Sequence, residues 1–219
     1  AIDMETITRS IMRGLGKPTG TLVSPQVAGW TEGVGQRLPY SVDVAKKLME
    51  EAGYPTGFEV DFACPNDRYI HDADICNAVM LMWARIGVMA KVRTMPMTSY
   101  FPMIQRNEAS VYMLGWGVPT FDSLYSLQAL VRSTNQGAGG EYNLGRYSNP
   151  QIDGMIDRIK VETDATARKK LMTQALQAAA DNVDYIPLYD QMIPWAMKKN
   201  GQLVHRADNQ LDMRHVRIQ

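Results

Sequence analysis

The chain has 219 residues, of which 45% are hydrophobic, so it can bury a sizeable core as one large domain or two small ones. Its 23 Lys and Arg residues balance 23 Asp and Glu residues, and a formal charge of zero provides no basic field to attract nucleic acid or anionic lipid. The longest apolar runs, such as residues 77–83, are far shorter than the roughly 20 residues of a membrane-spanning helix. The composition therefore predicts a folded protein with no nucleic-acid partner and no membrane span.

The first residues and the cysteines bear on the origin of the chain. Ala1 is followed at once by Asp3 and Glu5, with neither an initiator Met nor the pattern of a signal sequence, so we expect the chain to begin inside a longer protein. Cys64 and Cys76 are the only cysteines, too few for a disulfide framework. They form either one bridge or two free, buried thiols, and we expect the free thiols.

Helical and strand patterns alternate from the start of the chain. Asp3 is placed to cap a first helix in which Ile7, Ile11 and Leu15 recur every four positions. Residues 17–40 are rich in Gly, Pro, Ser and Thr and predict a long surface connection. A second helix begins at Ser41 and ends before Gly53, with four residues on its apolar face: Ala45, Leu48, Met49 and Ala52.

The next segments predict a largely parallel sheet. Residues 58–62 alternate apolar and acidic side chains, as a strand with one buried face does. A helical stripe over 75–86 and a second strand at 88–92 complete a β-α-β unit. The alternation continues with a short helix near 98–106, a third strand at 110–116 and a helix near 122–132.

Two further helices precede a polar end. Asn149 and Pro150 are a strong helix start, and Asp164 caps the next helix. Short apolar runs at 185–189 and 193–197 predict strands. The last twenty residues are polar and are expected to need a partner surface, because they cannot bury much on their own.

Motifs for chemistry are not found in this sequence. The glycines between Gly14 and Gly20 lack P-loop spacing and follow a helix instead of preceding one. The three histidines lack the spacing of a zinc site, and no Gly-x-Ser-x-Gly elbow is present. We therefore predict no catalytic residues, no metal site and no cofactor; a hydrolase with a carboxylate pair stays as the less favoured alternative.

Five segments in order resemble the family 5 extracellular solute-binding proteins, which include the dipeptide-, oligopeptide- and nickel-binding proteins of ABC importers. They are AIDMETITRSIMRGLG at the start, PYSVDVAKKLMEEAGYPTGFEV at 39–60, PNDRYIHDADICNAVMLMWARIGV at 65–88, LGWGVPTFDSLYSLQALV at 114–131 and NLGRYSNPQIDGMID at 143–157. The resemblance implies an α/β, type II periplasmic-binding-protein-like lobe with a mixed, mostly parallel sheet flanked by helices. It also implies that residues 1–190 form the second lobe and that 191–219 return toward a missing amino-terminal lobe.

The same resemblance implies a function without catalysis. The two lobes of a family member close over a solute, and the closed form delivers it to the permease subunits of an ABC importer. A short peptide is the expected solute, and a nickel chelate or another small solute is the alternative. The implied location is periplasmic, or the outer face by a lipid anchor in a source without an outer membrane.

Loops at the carboxyl ends of the predicted parallel strands are the expected ligand edge. The first loop offers Asn66, Asp67, Arg68 and Tyr69, and Arg68 is suited to a bidentate pair with a peptide carboxylate. The alternative is that Asn66 or Asp67 caps the next helix and Arg68 is solvated.

The second loop offers Trp116, Gly117, Thr120 and Asp122. In peptide-binding relatives an aspartate shortly after the matching tryptophan pairs with the ligand's amino group, whereas this chain has Gly117 and Val118 there. Asp122 is the nearest acid, and it also stands where it would cap the following helix. A weaker polar cluster is predicted farther along the chain, at Tyr142, Asn143 and Arg146.

Overall fold

A computed structural model describes residues 1–134, 139–206 and 208–218 of the chain. Helix α1 (Met4–Thr6) is capped by Asp3, whose carboxylate accepts the Thr6 N–H, and continues as a π-helical turn, Ile7–Ile11. The predicted first helix is therefore confirmed, but it ends before Leu15. Strand β1 (Gly16–Pro18) follows.

The long connection after β1 is more buried than the sequence predicts. It contains one short helix, α2 (Glu32–Gly35), and its Val23, Val27 and Val34 are part of the core. Helix α3 (Val42–Glu51) begins at a Ser41 cap, as predicted. None of its residues is buried, and Leu48 on the predicted apolar face is 57% exposed.

Three parallel strands form the central sheet, in the order β3-β2-β4. The elements are β2 (Phe58–Pro65), α4 (Asp72–Ala84), β3 (Val88–Met95), α5 (Met97–Gln105) and β4 (Val111–Tyr112). The predicted β-α-β unit is confirmed. The third strand is shorter than predicted, because only Val111 and Tyr112 pair with β2 and the chain then leaves the sheet.

The rest of the described chain is helical and then irregular. Helix α6 (Leu124–Ser126) continues as a π-helical turn, Leu127–Val131, and α7 (Pro150–Val161) and α8 (Ala165–Asp181) begin at the predicted caps Asn149 and Asp164. The later elements are short: β5 (Tyr189–Gln191), β6 (Gly201–Gln202), a 3-10 turn (Met213–His215) and β7 (Arg217–Ile218). The predicted strand at 193–197 is wrong, because those residues lie outside the strands.

The core has three clusters, one around α7 and α8, one between β2 and α4, and one under α5. In the second cluster Cys64 and Cys76 form a disulfide, so the expected free thiols are wrong. The end of β2 and the first turns of α4 bring the two Cα atoms within 6.5 Å, inside the range a disulfide spans. No helix in the described part of the chain combines the length and apolar character that a membrane crossing requires.

A half-buried aspartate, whose carboxylate has no hydrogen-bond partner in the described part of the chain, lies just beyond α8. Both oxygens of Asp184 are shielded from solvent, and they have no hydrogen-bond partner within the described ranges. Burial raises the pKa of this carboxyl to about 6. Since an unfolded aspartate ionises near pH 4, the unfolded chain loses this proton first as pH rises, so the fold loses stability between about pH 4 and 6 and stays destabilised above pH 6.

We expect Asp184→Asn to be more stable than the wild type at neutral pH. A two-unit shift corresponds to about 3 kcal/mol, and we expect about 1–2 kcal/mol because the residue is only half-buried and solvent screens its charge. Urea unfolding at pH values from 4 to 7.5 measures the difference, which should grow as pH rises through 4 to 6. A constant difference across this range would show that the ionised carboxylate is not its cause.

Candidate functional site

Three loops meet at the carboxyl edge of the parallel sheet. They are residues 65–72, from the last residue of β2 to the first of α4; 95–97, from the last residue of β3 to the first of α5; and 113–122 after β4. Because parallel strands end at one edge, the two loops predicted to carry the ligand site lie side by side.

Asp72 organises the first loop. It is 4% exposed, and one carboxylate oxygen accepts the N–H groups of Arg68 and Tyr69 at 3.0 Å each. The other oxygen accepts the Ala73 N–H at 2.9 Å. The loop backbone is therefore held by a buried side chain. The side chain of Arg68 itself is exposed.

Asn66 and Asp67 join this loop to the end of β3. The Asn66 N–H donates to the Met95 carbonyl at 3.1 Å, and Asp67 accepts the Met97 N–H, at the start of α5, at 2.7 Å. Asp67 thus caps α5. The sequence alternative was that Asn66 or Asp67 caps the next helix along the chain, which is α4. Both side chains are exposed at the edge.

Arg68 and Tyr69 connect the two loops. The Arg68 guanidinium lies 5.5 Å from the centroid of the Tyr69 ring, within the range of a cation–π contact. The Tyr69 ring covers Gly115, since a methyl group added there would lie 2.5 Å from Tyr69 Cε1. Within the ranges that the structure describes, Arg68 has no carboxylate at ion-pair distance.

Trp116 is part of an aromatic cluster beside this contact. Its indole N–H donates to Ser126 Oγ at 3.1 Å, and its ring centroid lies 5.4 Å from that of Tyr125 and 5.1 Å from that of Tyr142. Trp116 is half-buried, and Tyr125 is 41% exposed. The accessible part of the cluster is therefore shared by Trp116 and Tyr125, and the assignment of Trp116 to the ligand edge stays a prediction.

The remaining residues of the second loop differ in their surroundings. Gly117 and Thr120 are exposed, and a methyl group at Gly117 would meet no atom within 4 Å. Asp122 accepts the Leu124 N–H at 2.9 Å with one oxygen and pairs with Arg168 through the other. Both Asp122 oxygens are thus engaged, in agreement with the capping alternative.

The weaker polar cluster, predicted at Tyr142, Asn143 and Arg146, mainly stabilises a turn. Asn143 is buried, and its side-chain N–H groups donate to the carbonyls of Arg132 and Tyr147 at 3.0 and 2.7 Å. Tyr142 contacts Trp116, and Arg146 is exposed. The structure therefore brings Tyr142, but not Asn143, to the edge of the candidate site.

Sequence reasoning missed the groups that support the site from below. Tyr100 is fully buried, donates to the Met113 carbonyl at 2.5 Å, and has its pKa raised by burial. The disulfide lies nearby, with Cys76 Sγ 3.6 Å from Met113 Sδ. Asp72 was detectable as an acid in the first turn of α4, but Tyr100 gave no signal that separates it from an ordinary core residue.

No ligating cluster accompanies these loops. In the parts of the chain that the structure covers, no three His, Cys, Asp or Glu side chains lie close enough together to hold a metal ion. The edge offers instead a guanidinium, aromatic faces and backbone groups, which suit an organic solute.

Comparison with solved structures assigns the fold class of the chain. The structure of HbpA2 from Haemophilus parasuis matches 99% of this chain and 43% of its own chain, with a TM-score of 0.84 at 21% identity. At that identity the likeness concerns the fold: a type II periplasmic-binding-protein-like lobe with a parallel sheet flanked by helices, as predicted.

The family follows from the sequence. The profile described as "Bacterial extracellular solute-binding proteins, family 5 Middle" matches residues 1–138, and the chain belongs to this family. Heme-binding protein A of Haemophilus influenzae is 27% identical over 196 residues, covering 86% of this chain and 34% of that protein. The dipeptide-binding protein of Escherichia coli is 26% identical over 182 residues, covering 80% and 33%.

These relatives are described as binding proteins and not as enzymes. The chain spans about a third of the length of the curated relatives it matches.

Proposed function

We propose that this chain is the second lobe of the substrate-binding component of an ABC importer, which captures short peptides between two lobes and delivers them to the permease. Family membership supports the class of function. The choice of site rests on the Arg68 guanidinium, which lies over Tyr69 and has no ion pair among the described residues, at the loop edge where a parallel α/β sheet binds ligands. The relatives' names support binding of a small solute, and a periplasmic location belongs to the same proposal.

The division of the chain belongs to the same proposal. Residues 1–190 form the lobe, and 191–219 return toward an amino-terminal lobe that this chain does not contain. Large apolar side chains on the return segment support this arrangement, because they are exposed here: Met192 57%, Ile193 44%, Met197 51%, Leu211 57% and Met213 68%. A partner surface of the same protein would remove them from water.

Affinity in this arrangement comes from enclosure by both lobes. A ligand held against one open edge keeps much of its surface in water, whereas closure buries most of it. Closure also creates the form that a permease recognises, since the ligand favours the closed state by its additional contacts there. Catalysis has no part in this sequence of events.

We expect the longer protein of this proposal, in which this chain is one of two lobes, to bind short peptides in a calorimetric titration. We call it the two-lobe form. The panel contains di- to pentapeptides of mixed composition, together with a nickel–histidine chelate as the alternative cargo. Saturable binding of one peptide per protein is the expected result. A protein inert toward the peptides but saturated by the chelate would contradict the peptide assignment, and inertness toward the complete panel would contradict the proposed function.

A nickel chelate stays the alternative solute because of one feature of the second loop. Gly117 and Val118 follow Trp116, so the loop begins without an acid and leaves open space at Gly117. A bulky, chelated solute would fit such an opening more readily than a peptide amino group, which needs a negative partner.

A further inference from the structure

Helix α3 is amphipathic, but one row of its apolar side chains lies in water. None of the residues of α3 is buried, and Val44 and Leu48, one turn apart, are 55% and 57% exposed. Ala45 and Met49 form a neighbouring row that is half-buried. The helix therefore rests on the lobe along one row and leaves the row of Val44 and Leu48 uncovered.

Aromatic side chains flank α3 at both ends. Tyr40 precedes the helix, is 40% exposed, and accepts an Arg85 guanidinium N–H at 2.7 Å. Tyr54 follows the helix, and its ring lies edge-on to that of Phe58, with 5.0 Å between the centroids. These two rings are 51% and 39% exposed. We call the exposed apolar residues of this region the α3 surface: Tyr40, Val44, Leu48, Tyr54 and Phe58.

The α3 surface lies at the opposite edge of the sheet from the ligand loops. Phe58 is the first residue of β2, and Pro65, its last residue, begins the first ligand loop. At a rise of about 3.3 Å per residue, roughly 23 Å of strand separates them. A partner on the α3 surface would therefore leave the ligand edge accessible.

The charges of α3 are unpaired and follow a self-complementary pattern. Its charged residues are all exposed, and none has an ion pair within residues 1–134, 139–206 and 208–218: Asp43, Lys46, Lys47, Glu50 and Glu51. Lys47 and Glu51 lie one turn apart, beside the row of Val44 and Leu48. A base and an acid on one row can pair with the same row of a second copy that runs in the opposite direction.

Two copies of α3, packed antiparallel about a two-fold axis at the level of Met49, satisfy this pattern. Each helix rises about 1.5 Å per residue, and the copies run in opposite directions. A residue two positions before Met49 in one copy is therefore level with the residue two positions after it in the other. Lys47 of each copy is then level with Glu51 of the other copy, which gives two symmetric ion pairs.

The same arrangement joins the apolar side chains. Leu48 meets Leu48 of the other copy near the axis, and Val44 is level with Tyr54 of the other copy. This contact would remove exposed apolar area from water, while the ion pairs determine the direction and register of the helices. We infer that the α3 surface binds a second copy of this protein through antiparallel α3 helices. The inference goes beyond the proposed function and does not depend on the solute.

The test measures sedimentation of the two-lobe form over a series of protein concentrations. This form is used because the proposed amino-terminal lobe covers the return segment, whose exposed apolar side chains could otherwise join copies. We expect a dimer whose dissociation constant rises about 10-fold or more in Lys47→Glu and in Glu51→Lys. Each change turns two attractive pairs into two repulsive ones.

A mixture of the two variants distinguishes pairing from a folding defect. The Lys47→Glu copy presents acids at both positions and the Glu51→Lys copy presents bases at both, so one copy of each restores both pairs. The mixture should form a heterodimer within about 3-fold of the wild-type affinity. Lys169→Glu, a charge reversal at an exposed residue of α8, is the matched control and should leave the dimer unchanged.

Three results would overturn the inference. They are a two-lobe form that stays monomeric at every concentration, a dimer that neither single variant weakens, and a mixture that associates no better than either variant alone. Because the α3 surface lies away from the ligand loops, each of these results would leave peptide binding, and with it the proposed function, unaffected.

Discussion

Replacing both cysteines by alanine is expected to lower the free energy of unfolding by about 2–4 kcal/mol. Cys64 and Cys76 are both 0% exposed, and their bond closes a loop across 12 positions of sequence. A disulfide that closes a loop of this size restricts the unfolded chain by about 3 kcal/mol. Equilibrium unfolding in urea, without reductant, measures the loss for Cys64→Ala/Cys76→Ala.

The reductant provides the control for this prediction. Unfolding the wild type in dithiothreitol removes the cross-link but keeps both sulfur atoms, so the reduced wild type should retain only the packing advantage over the alanine variant. A variant that unfolds at the same urea concentration as the oxidised wild type would contradict the stabilising role of the bond. Because the bond joins β2 to α4 beneath the 65–72 loop, we also expect faster amide exchange at Tyr69 in the variant.

Gly57→Ala is expected to destabilise the protein by about 2–5 kcal/mol. Gly57 and Gly87 precede the paired residues Phe58 and Val88, so their backbones touch where β2 and β3 begin. A methyl group at Gly57 would overlap the Gly87 carbonyl, and φ is +80° at this position. The overlap costs about 1–3 kcal/mol and the left-handed backbone adds about 1–2 kcal/mol.

Gly53 is the matched control for Gly57. Its φ is +85°, but a methyl group there would meet no atom within 4 Å. Gly53→Ala should therefore show the backbone cost alone, about 1–2 kcal/mol, in the same thermal or urea unfolding experiment. Equal losses in the two variants would show that the contact between the two strand starts does not matter.

The sheet was predictable because its signals are local. Apolar and acidic residues alternate over 58–62, helical stripes follow, and caps such as Ser41, Asn149 and Asp164 begin helices where they were expected. The length of β4 was not predictable from periodicity. The apolar residues beyond Tyr112 pack in the core and the aromatic cluster instead of pairing with β2. Periodicity does not distinguish these two uses of an apolar run.

The candidate site was predictable only in outline. Strand order places 65–72 beside 113–122, but the contact of Tyr69 with Gly115 depends on the tertiary packing. The engagement of Asp122 by Arg168 joins residues 46 positions apart, and the disulfide depends on where β2 ends against α4. Such long-range pairs leave no periodic signal, whereas the segments that resemble the family indicate the family directly.

The central claim is that the edge formed by Tyr69 and Gly115 binds the solute, and a titration of three forms of the two-lobe protein tests it most directly. The account predicts that Gly115→Ala, which displaces the Tyr69 ring, weakens peptide binding at least 10-fold, while Gly117→Ala, which adds a methyl group in open space, changes it less than 3-fold. Thermal unfolding checks that both variants are folded. Wild-type affinity in a folded Gly115→Ala protein would contradict the account.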